Sequence, residues 1–402
     1  MKNTKLSIAL VGLLTLSTSS FADDTADIAE LKQQVKDLKE MTQILTDETS
    51  DLQTGFNYTT VDSEKRHSGL GPAASKVYYS KSPLSIGGYG EMYYSNTTND
   101  DDSHDSETQV KRFITYFGYK FSDSIVLNAE IEYEGGGVTA SGSGDEVKVE
   151  FVYIDFLINE NFNIRTGNFL VPMGLTNQQH EPTLFTTVQR PSTSKYIIPT
   201  TWNESGAMAY GNIVDGLEYK VALINALQPI NIGDKWLRNG RGGAFETLDV
   251  KAAGVARLDY TGVNGLLVGA SIYGDSDVLI LDAHLDYKFS GARVYGTYAQ
   301  TSRSTDAVGA VTDSFGGYIN ASYDVLTLTN SSFKLPLFVQ YEAYNPQSDL
   351  KGLSSPREDT KNTSLGINFF PHEQIVLKAD YVFSSTGNID NEIASLSMGF
   401  IF

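Results

Sequence analysis

The sequence predicts an all-β protein: a transmembrane antiparallel β-barrel of about 16 strands, preceded by an N-terminal coiled-coil helix. Three observations carry this. Runs of about ten residues alternate apolar and polar side chains from Leu84 to Phe402, as strands with two unlike faces do. The connections between runs alternate between short turns and longer polar gaps, the rhythm of an up-and-down barrel. A heptad repeat stands ahead of the first run.

The export signal comes first in the chain. Lys2 and Lys5 form a basic start, Ile8 to Leu16 an apolar middle, and Ser20-Phe21-Ala22 a small-x-small cleavage site, so residues 1–22 read as a signal peptide removed before Asp23. Its loss takes two lysines and moves the formal side-chain charge from -19 to -21, which argues against nucleic acid or anionic headgroups as partners. No later stretch reaches the roughly 18 to 20 apolar residues of a membrane helix. A mean hydropathy of -0.21 is what a barrel gives too, because its two faces cancel in any window. Cysteine is absent, so neither disulfides nor thiol-ligated metals hold this fold, while 36 glycines, 23 tyrosines and 20 phenylalanines suit strands and turns.

Within residues 23–54 the apolar side chains Ile28, Leu31, Val35, Leu38, Leu45 and Leu52 recur in steps of three and four, with Thr42 and Thr49 filling the remaining seam positions. This is a periplasmic coiled coil that self-associates, or else a helix packed on its own barrel; the seam does not specify the number of strands. Residues 55–82, rich in Ser, Gly, Lys and Tyr and without a clear period, read as a linker, and the barrel occupies 83–402.

Each strand follows the same rule. Phe113, Thr115, Phe117, Tyr119 and Phe121 oppose Arg112, Tyr116 and Lys120, and a turn at Ser122-Asp123-Ser124 leads to Ile125, Leu127, Ala129, Ile131 and Tyr133 opposite Asn128, Glu130, Glu132 and Glu134. Further on, Leu279, Leu281, Ala283, Leu285, Tyr287 and Phe289 oppose Asp282, His284, Asp286 and Lys288. Burying such charges in a dry core is costly, whereas a water-filled lumen accepts them. The last strand, EIASLSMGFIF, sets Ala394, Leu396, Met398, Phe400 and Phe402 against Ser395, Ser397 and Gly399, with Ile393 and Ile401 as exceptions on the polar face, and closes the barrel against the first strand.

Alternation assigns Glu91, Arg112, Lys120, Glu130, Glu132, Arg165, Lys251, Arg257, Asp282, Asp286, Arg293, Lys378 and Asp380 to the pore lining. Over all strands ten basic groups face twelve acidic ones, a nearly balanced lining with at most a weak cation preference. The third long gap, Pro172 to Ser205, exceeds a passive connection and carries Phe185, Tyr196, Ile197, Ile198 and Trp202 to pack with, so it reads as a folded constriction whose titratable groups are His180, Glu181, Arg190, Lys195 and Glu204. Asp282, His284 and Asp286 share one face, but nothing neighbouring completes a ligand set, and neither a metal nor a cofactor is expected. The histidines His67, His104, His180, His284 and His372 form no motif-supported pair with a nucleophile, which sets a barrel enzyme behind a channel; acidic outer loops leave an adhesin as a secondary role.

SIGGYGEMYY (Ser85 to Tyr94), RTGNFLVPMGL (Arg165 to Leu175) and the aromatic C-terminus, in that order, resemble the phosphate-selective porin O and P family of bacterial outer-membrane channels. The resemblance spans Leu84 to Phe402. It implies a homotrimeric porin of 16 strands in outer-membrane lipid, a third loop folded inward to narrow the pore, passive diffusion of ions and small hydrophilic solutes, and Phe402 as part of the signal read by the barrel-assembly machinery. The family's arginine ladder and lysine cluster are not traceable by alternation, so a general diffusion pore is the first expectation and a phosphate- or anion-specific channel the alternative.

Overall fold

The computed structural model describes residues 24–53, 61–136, 147–353 and 357–402. The export signal, the start of the linker and residues 137–146 of the second long gap lie outside them. The chain falls into two units that divide near residue 57.

The first unit is helix α1, Asp24–Gln53. Its outer face is held by pairs four residues apart, such as Gln33 donating to Asp37 at 2.8 Å. The seam residues Leu31, Val35 and Leu38 are exposed on the single chain; the side chains of Ile28, Leu45 and Leu52 lie outside the described residues.

The second unit contains, among the described residues, sixteen strands in one closed sheet. They are β1 (Leu84–Thr98), β2 (His104–Ser122), β3 (Ile125–Glu134), β4 (Val147–Asn159), β5 (Phe162–Leu170), β6 (Asn203–Val214), β7 (Leu217–Asn225) and β8 (Ala252–Tyr260), then β9 (Leu266–Gly274), β10 (Val278–Phe289), β11 (Ala292–Arg303), β12 (Val311–Asp324), β13 (Pro336–Leu350), β14 (Thr360–His372), β15 (Ile375–Thr386) and β16 (Ile389–Ile401). Every strand pairs antiparallel with its sequence neighbours, and β16 closes on β1 with Tyr89 opposite Ile401 and Glu91 opposite Gly399. Closure leaves no unpaired strand edge. Leu279 and Leu281 point out and are exposed, whereas Asp282, His284 and Asp286 point in and are buried. An exterior of exposed Leu, Val, Phe and Tyr around a closed ring of satisfied backbone is chemically suited to hydrocarbon.

Two expectations are corrected here. The first of the longer polar gaps, read from the sequence as NTTNDDDSHDSE, Asn96 to Glu107, is largely strand: Asn96 pairs with Ser106 and Thr98 with His104, leaving 99–103 as the hairpin turn. The connections 275–277 and 387–388 at the same end are tight as well, so loop length sorts only part of the ring. Polar side chains do not prevent ladder pairing where both faces are wet.

The second correction concerns the linker. Its described part, 61–82, runs against the inner wall and contains helix α2, Pro72–Tyr79, with Pro72 in its first turn. Val61, Leu70, Ala73, Ala74 and Val77 are buried there, and they share a cluster or a contact with inward residues of the wall, among them Tyr89, Ile114, Tyr153 and Ile401. Ile401, the exception on the polar face of the last strand, thus has an apolar partner. Gly118 lies beneath Val77 with no room for a side chain between them. The ends of α2 are tied by polar contacts: Glu181 accepts from the amides of Ala73 and Ala74, Asn128 donates to the Ala74 carbonyl at 2.8 Å, and Lys120 donates to the Ser80 carbonyl at 2.7 Å.

Candidate functional site

The long connection between β5 and β6, residues 171–202, is folded into the lumen and bonded to the opposite wall. The Gly174 amide donates to Asp282 at 3.0 Å, the Thr186 amide to the Tyr295 hydroxyl at 3.0 Å, the Val188 amide to Asp380 at 2.7 Å, and the Thr193 amide to Glu342 at 2.7 Å. From the wall, Lys378 donates to the carbonyls of Phe185 and Thr187 at 2.8 and 3.0 Å, and Arg293 to that of Leu184 at 2.8 Å. An irregular loop can be buried this way because wall side chains meet its backbone groups. Its base is clamped by Asn177, which donates to the carbonyls of Val171 and Trp202 and accepts from the Trp202 amide at 2.8 Å.

The loop separates two cavities. The one toward the loop end of the barrel measures about 620 Å³, and its border includes Thr187 to Ser192 of the loop. The one toward the turn end measures about 500 Å³ and is bordered by Thr183 to Thr186. Segment 183–188 therefore lies between them.

Charge is not spread evenly. The larger cavity is lined by eight basic side chains against five acidic ones in a chain of net charge -19. Two of the eight face carboxylates: Arg112 lies 3.7 Å from Glu91 and 3.8 Å from Glu132, and Lys148 lies 3.2 Å from Glu132. Arg190, Arg238 and Arg241 differ. Arg190 donates to the His180 carbonyl at 2.8 Å, and Arg238 and Arg241 both donate to the Thr200 carbonyl, so among the described residues these three meet backbone carbonyls and form no direct ion pair. Burial and the facing guanidinium groups Arg241 and Arg190 lower the Arg238 pKa to about 9; burial and then Arg238 lower that of Lys195. An anion entering this cavity relieves that repulsion. The smaller cavity also carries more basic than acidic groups, Arg66, Lys288, Arg293 and Lys334 against Glu64, Asp324 and Glu373.

The residues expected to line a pore have several fates. Glu91, Arg112 and Asp380 border the larger cavity and Arg293 the smaller, while Lys378 is occupied in holding the loop. Lys120 holds the segment after α2. Arg165 is fully buried beneath Tyr78 and Tyr210 and makes a two-pronged pair with Asp155, both bonds 2.8 Å. Arg257 pairs with Asp259 at 2.7 Å beside Lys220, and Asp286 pairs with Arg293. Asp282 and Asp259 hold the two ring nitrogens of His284 at 2.7 and 2.9 Å. Glu130 and Glu132 are buried under the loop. These inward charges meet protein where a water-filled lumen was expected.

Two assignments are corrected. Lys251 precedes β8 at the rim, its side chain 63% exposed and 3.1 Å from Asp277, because the strand it was counted on begins one residue later. Glu204 belongs to β6 and not to the loop. It is fully buried and accepts from the Trp202 indole at 3.1 Å and the Gly242 amide at 2.8 Å, tying the base of one loop to the next. Arg238 and Arg241 were missed because they lie in a polar connection, 226–251, with no period to place them.

No family model matches the chain. It is 33% identical over 349 residues, covering 79% of each chain, to an uncharacterised protein of Aquifex aeolicus (strain VF5), and it belongs to the same family. Its fold is that of outer-membrane porins. It is similar to OmpF of Salmonella typhi, in complex with daunomycin (TM-score 0.57, 14% identity, 79% of this chain and 97% of that one), to the anion-selective porin of Comamonas acidovorans (0.56, 14%, 79% and 99%), and to the outer-membrane channel DcaP of Acinetobacter baumannii (0.54, 11%, 79% and 97%).

Proposed function

We propose that this chain is an outer-membrane porin for small hydrophilic solutes, entered through a basic vestibule and narrowed by the inward loop 171–202. Its reaction is transport without chemistry: solutes cross by diffusion in a path whose wall and loop are polar. The observation that carries the reading is the group Arg190, Arg238 and Arg241, which among the described residues form no direct ion pair with a carboxylate, at the edge of a cavity of about 620 Å³. Selectivity follows charge at the narrow part of a path more than the total on a protein, and exposed outer acids are muted over roughly 8 Å at physiological salt. The balanced count of inward groups read from alternation therefore gives way to an anion preference, because many of those groups are paired away from the cavities. Dedicated phosphate recognition is the sharper form of the same reading, since guanidinium groups supply charge-assisted donors to replace a phosphate's water.

The decisive measurement is the zero-current potential of the purified protein in a planar bilayer across a salt gradient, followed by phosphate titration of the chloride current. Anion selectivity supports the vestibule; saturable block by phosphate supports a dedicated site. Cation selectivity overturns the anion preference, and a bilayer without conductance steps overturns the channel.

The oligomer we propose is a homotrimer inserted by the barrel-assembly machinery through its aromatic C-terminal strand, with α1 as a periplasmic coiled coil. The exposed seam Leu31, Val35 and Leu38 motivates it. Leu31→Asp with Leu38→Asp is expected to lower the temperature at which the oligomer dissociates on unheated gels while leaving the barrel closed. An unchanged dissociation temperature excludes α1 from assembly.

A further inference from the structure

We infer that the lumen contains a binding site for one divalent transition-metal ion of the zinc class, held by Glu130 of β3, Glu150 of β4 and His180 of the inward loop. One ligand atom from each lies within 4.8 Å of the other two. All three residues are 2% exposed or less.

The first support is unmet polarity. Both carboxylate oxygens of Glu130, Oε2 of Glu150 and Nε2 of His180 are buried without a hydrogen-bond partner. Buried polar atoms are nearly always paired, and unpartnered acceptors on three residues that each bring a ligand atom within 4.8 Å of the other two are costly unless something positive lies between them. Among the described residues, the nearby cations lean mainly on other groups: Lys148 lies 3.2 Å from Glu132 and 4.0 Å from Glu150 Oε1, Arg112 faces Glu91 and Glu132, and Arg190 donates to a carbonyl.

The second support is how the ligands are aimed. Between β3 and β4 the register shifts: Glu130 pairs with Phe151 and Ile131 with Val149, so Glu150 is the extra residue of a bulge. The extra residue lets the consecutive side chains of Glu150 and Phe151 both face the lumen, which sets Glu150 beside Glu130. His180 is set by its other nitrogen, Nδ1, which lies 2.7 Å from the Asn177 carbonyl and donates to it. That bond leaves the lone pair of Nε2 facing the carboxylates, the arrangement of a metal-ligating imidazole held by a carbonyl behind it.

The ion class follows from the donor set. One imidazole nitrogen with two carboxylates suits zinc and its neighbours, whereas calcium and magnesium take oxygen ligands. His180 Nε2 lies 3.7 Å from Glu130 Oε1; two tetrahedral ligands about 2.1 Å from zinc stand roughly 3.4 Å apart, so a shift of a few tenths closes this pair. The contrast with Asp282, His284 and Asp259 is informative. There the carboxylates accept from the ring itself and from Arg257 and Lys220, and no lone pair is left for a metal. A bound ion would fasten the loop to the wall, and, through the adjacent Glu181 at the start of α2, to the lumen segment as well.

The test uses the full chain purified in detergent, stripped with EDTA, exposed to zinc chloride and desalted, with zinc read per chain by mass spectrometry. About one zinc per chain is expected, falling at least tenfold in Glu130→Gln with Glu150→Gln. His180→Phe, which leaves the wall untouched, is expected to fall as far, so the site remains testable if the double variant does not fold, as judged by unheated gel mobility. Zinc should also protect 171–202 from hydrogen exchange in the wild type only. Wild-type zinc no higher than in His180→Phe overturns the site and leaves a proton shared between the two carboxyls as the occupant. Because zinc is counted without a bilayer, this result stands or falls apart from the channel reading.

Discussion

The two sides of the turn-end half of the lumen are built from the same alternating strands and have opposite interiors. On the β1 to β7 side, segment 61–82 lies over the wall and the inward polar residues are sealed. Asp155 accepts two bonds from Arg165, one from the Tyr210 hydroxyl at 3.0 Å and one from the Tyr78 hydroxyl at 2.5 Å, and both ions are fully buried. On the β11 to β14 side a cavity of about 500 Å³ stands between the wall and the lumen segments: Arg293, Ser322, Asp324 and Asn368 border it from the wall, and Ser63, Glu64 and Arg66 from the start of segment 61–82. Arg293 makes the same two-pronged pair with Asp286, at 2.8 and 2.9 Å, yet remains 18% exposed. One motif of carboxylate and guanidinium thus serves as a dry clamp on one side and as part of a wet boundary on the other. Desolvation decides which.

The largest expected effect tests that contrast directly. Arg165→Ala strands a buried Asp155 and is expected to cost about 3–5 kcal/mol, whereas Arg293→Ala removes a side chain that borders the cavity, lets water from it reach the otherwise buried Asp286, and is expected to cost about 1–2 kcal/mol. Urea unfolding of the two variants checks it; equal losses would remove the distinction between the sides. Next in size is the seal itself. Val77→Asp puts a carboxylate against Gly118 and the wall, which is expected to displace α2 and raise single-channel conductance roughly twofold as the sealed side opens. Unchanged conductance with intact folding would show that the covered side never limits flow.

A smaller effect concerns the entrances. Arg190→Glu with Arg238→Glu is expected to move the zero-current potential toward cations, and Lys334→Glu in the smaller cavity to move it less, since the arginines face one another at the larger one. The smallest is a pH effect on the seal. His67 stacks on Tyr78 and lies 3.1 Å from the Tyr210 hydroxyl, with Asp155 favouring its charged form and Arg165 and Lys220 opposing it; burial dominates and lowers its pKa to about 4. The unfolded chain binds this proton below about pH 6.5 and the folded chain only below about 4, so stability falls as pH drops through that window, by at most about 3 kcal/mol. Thermal unfolding between pH 7 and 4 should show the loss, reduced in His67→Phe.

Much of this molecule was readable from its chain. The barrel follows from alternation because a strand's two faces meet different solvents, and the closing pair of β16 with β1 follows because a barrel tolerates no edge. The inward direction of Glu91, Arg112, Asp282 and Lys378 came from the same rule. The segment laid over the wall of β1 to β7 did not. Residues 61–82 have helical spacing only at Leu70, Ala73, Ala74 and Val77, too short a run to stand out, and Gly118 shows nothing of its role until Val77 lies against it. Arg238 and Arg241 sit in a connection without a period, and although alternation turns Glu150 inward, the bulge that also turns Phe151 inward beside it is not visible to parity.

Local chemistry therefore settled which residues are strand, which face is apolar and where the chain turns, since neighbours along the chain and the period of the backbone suffice for that. Whether an inward charge meets a cavity or a protein partner was settled by contacts between residues far apart in sequence, such as Glu181 with Ala74 and Lys378 with Phe185. The physical reason is that the cost of a charge depends on everything within a few ångströms of it in space, and alternation constrains only the direction in which the side chain leaves its strand.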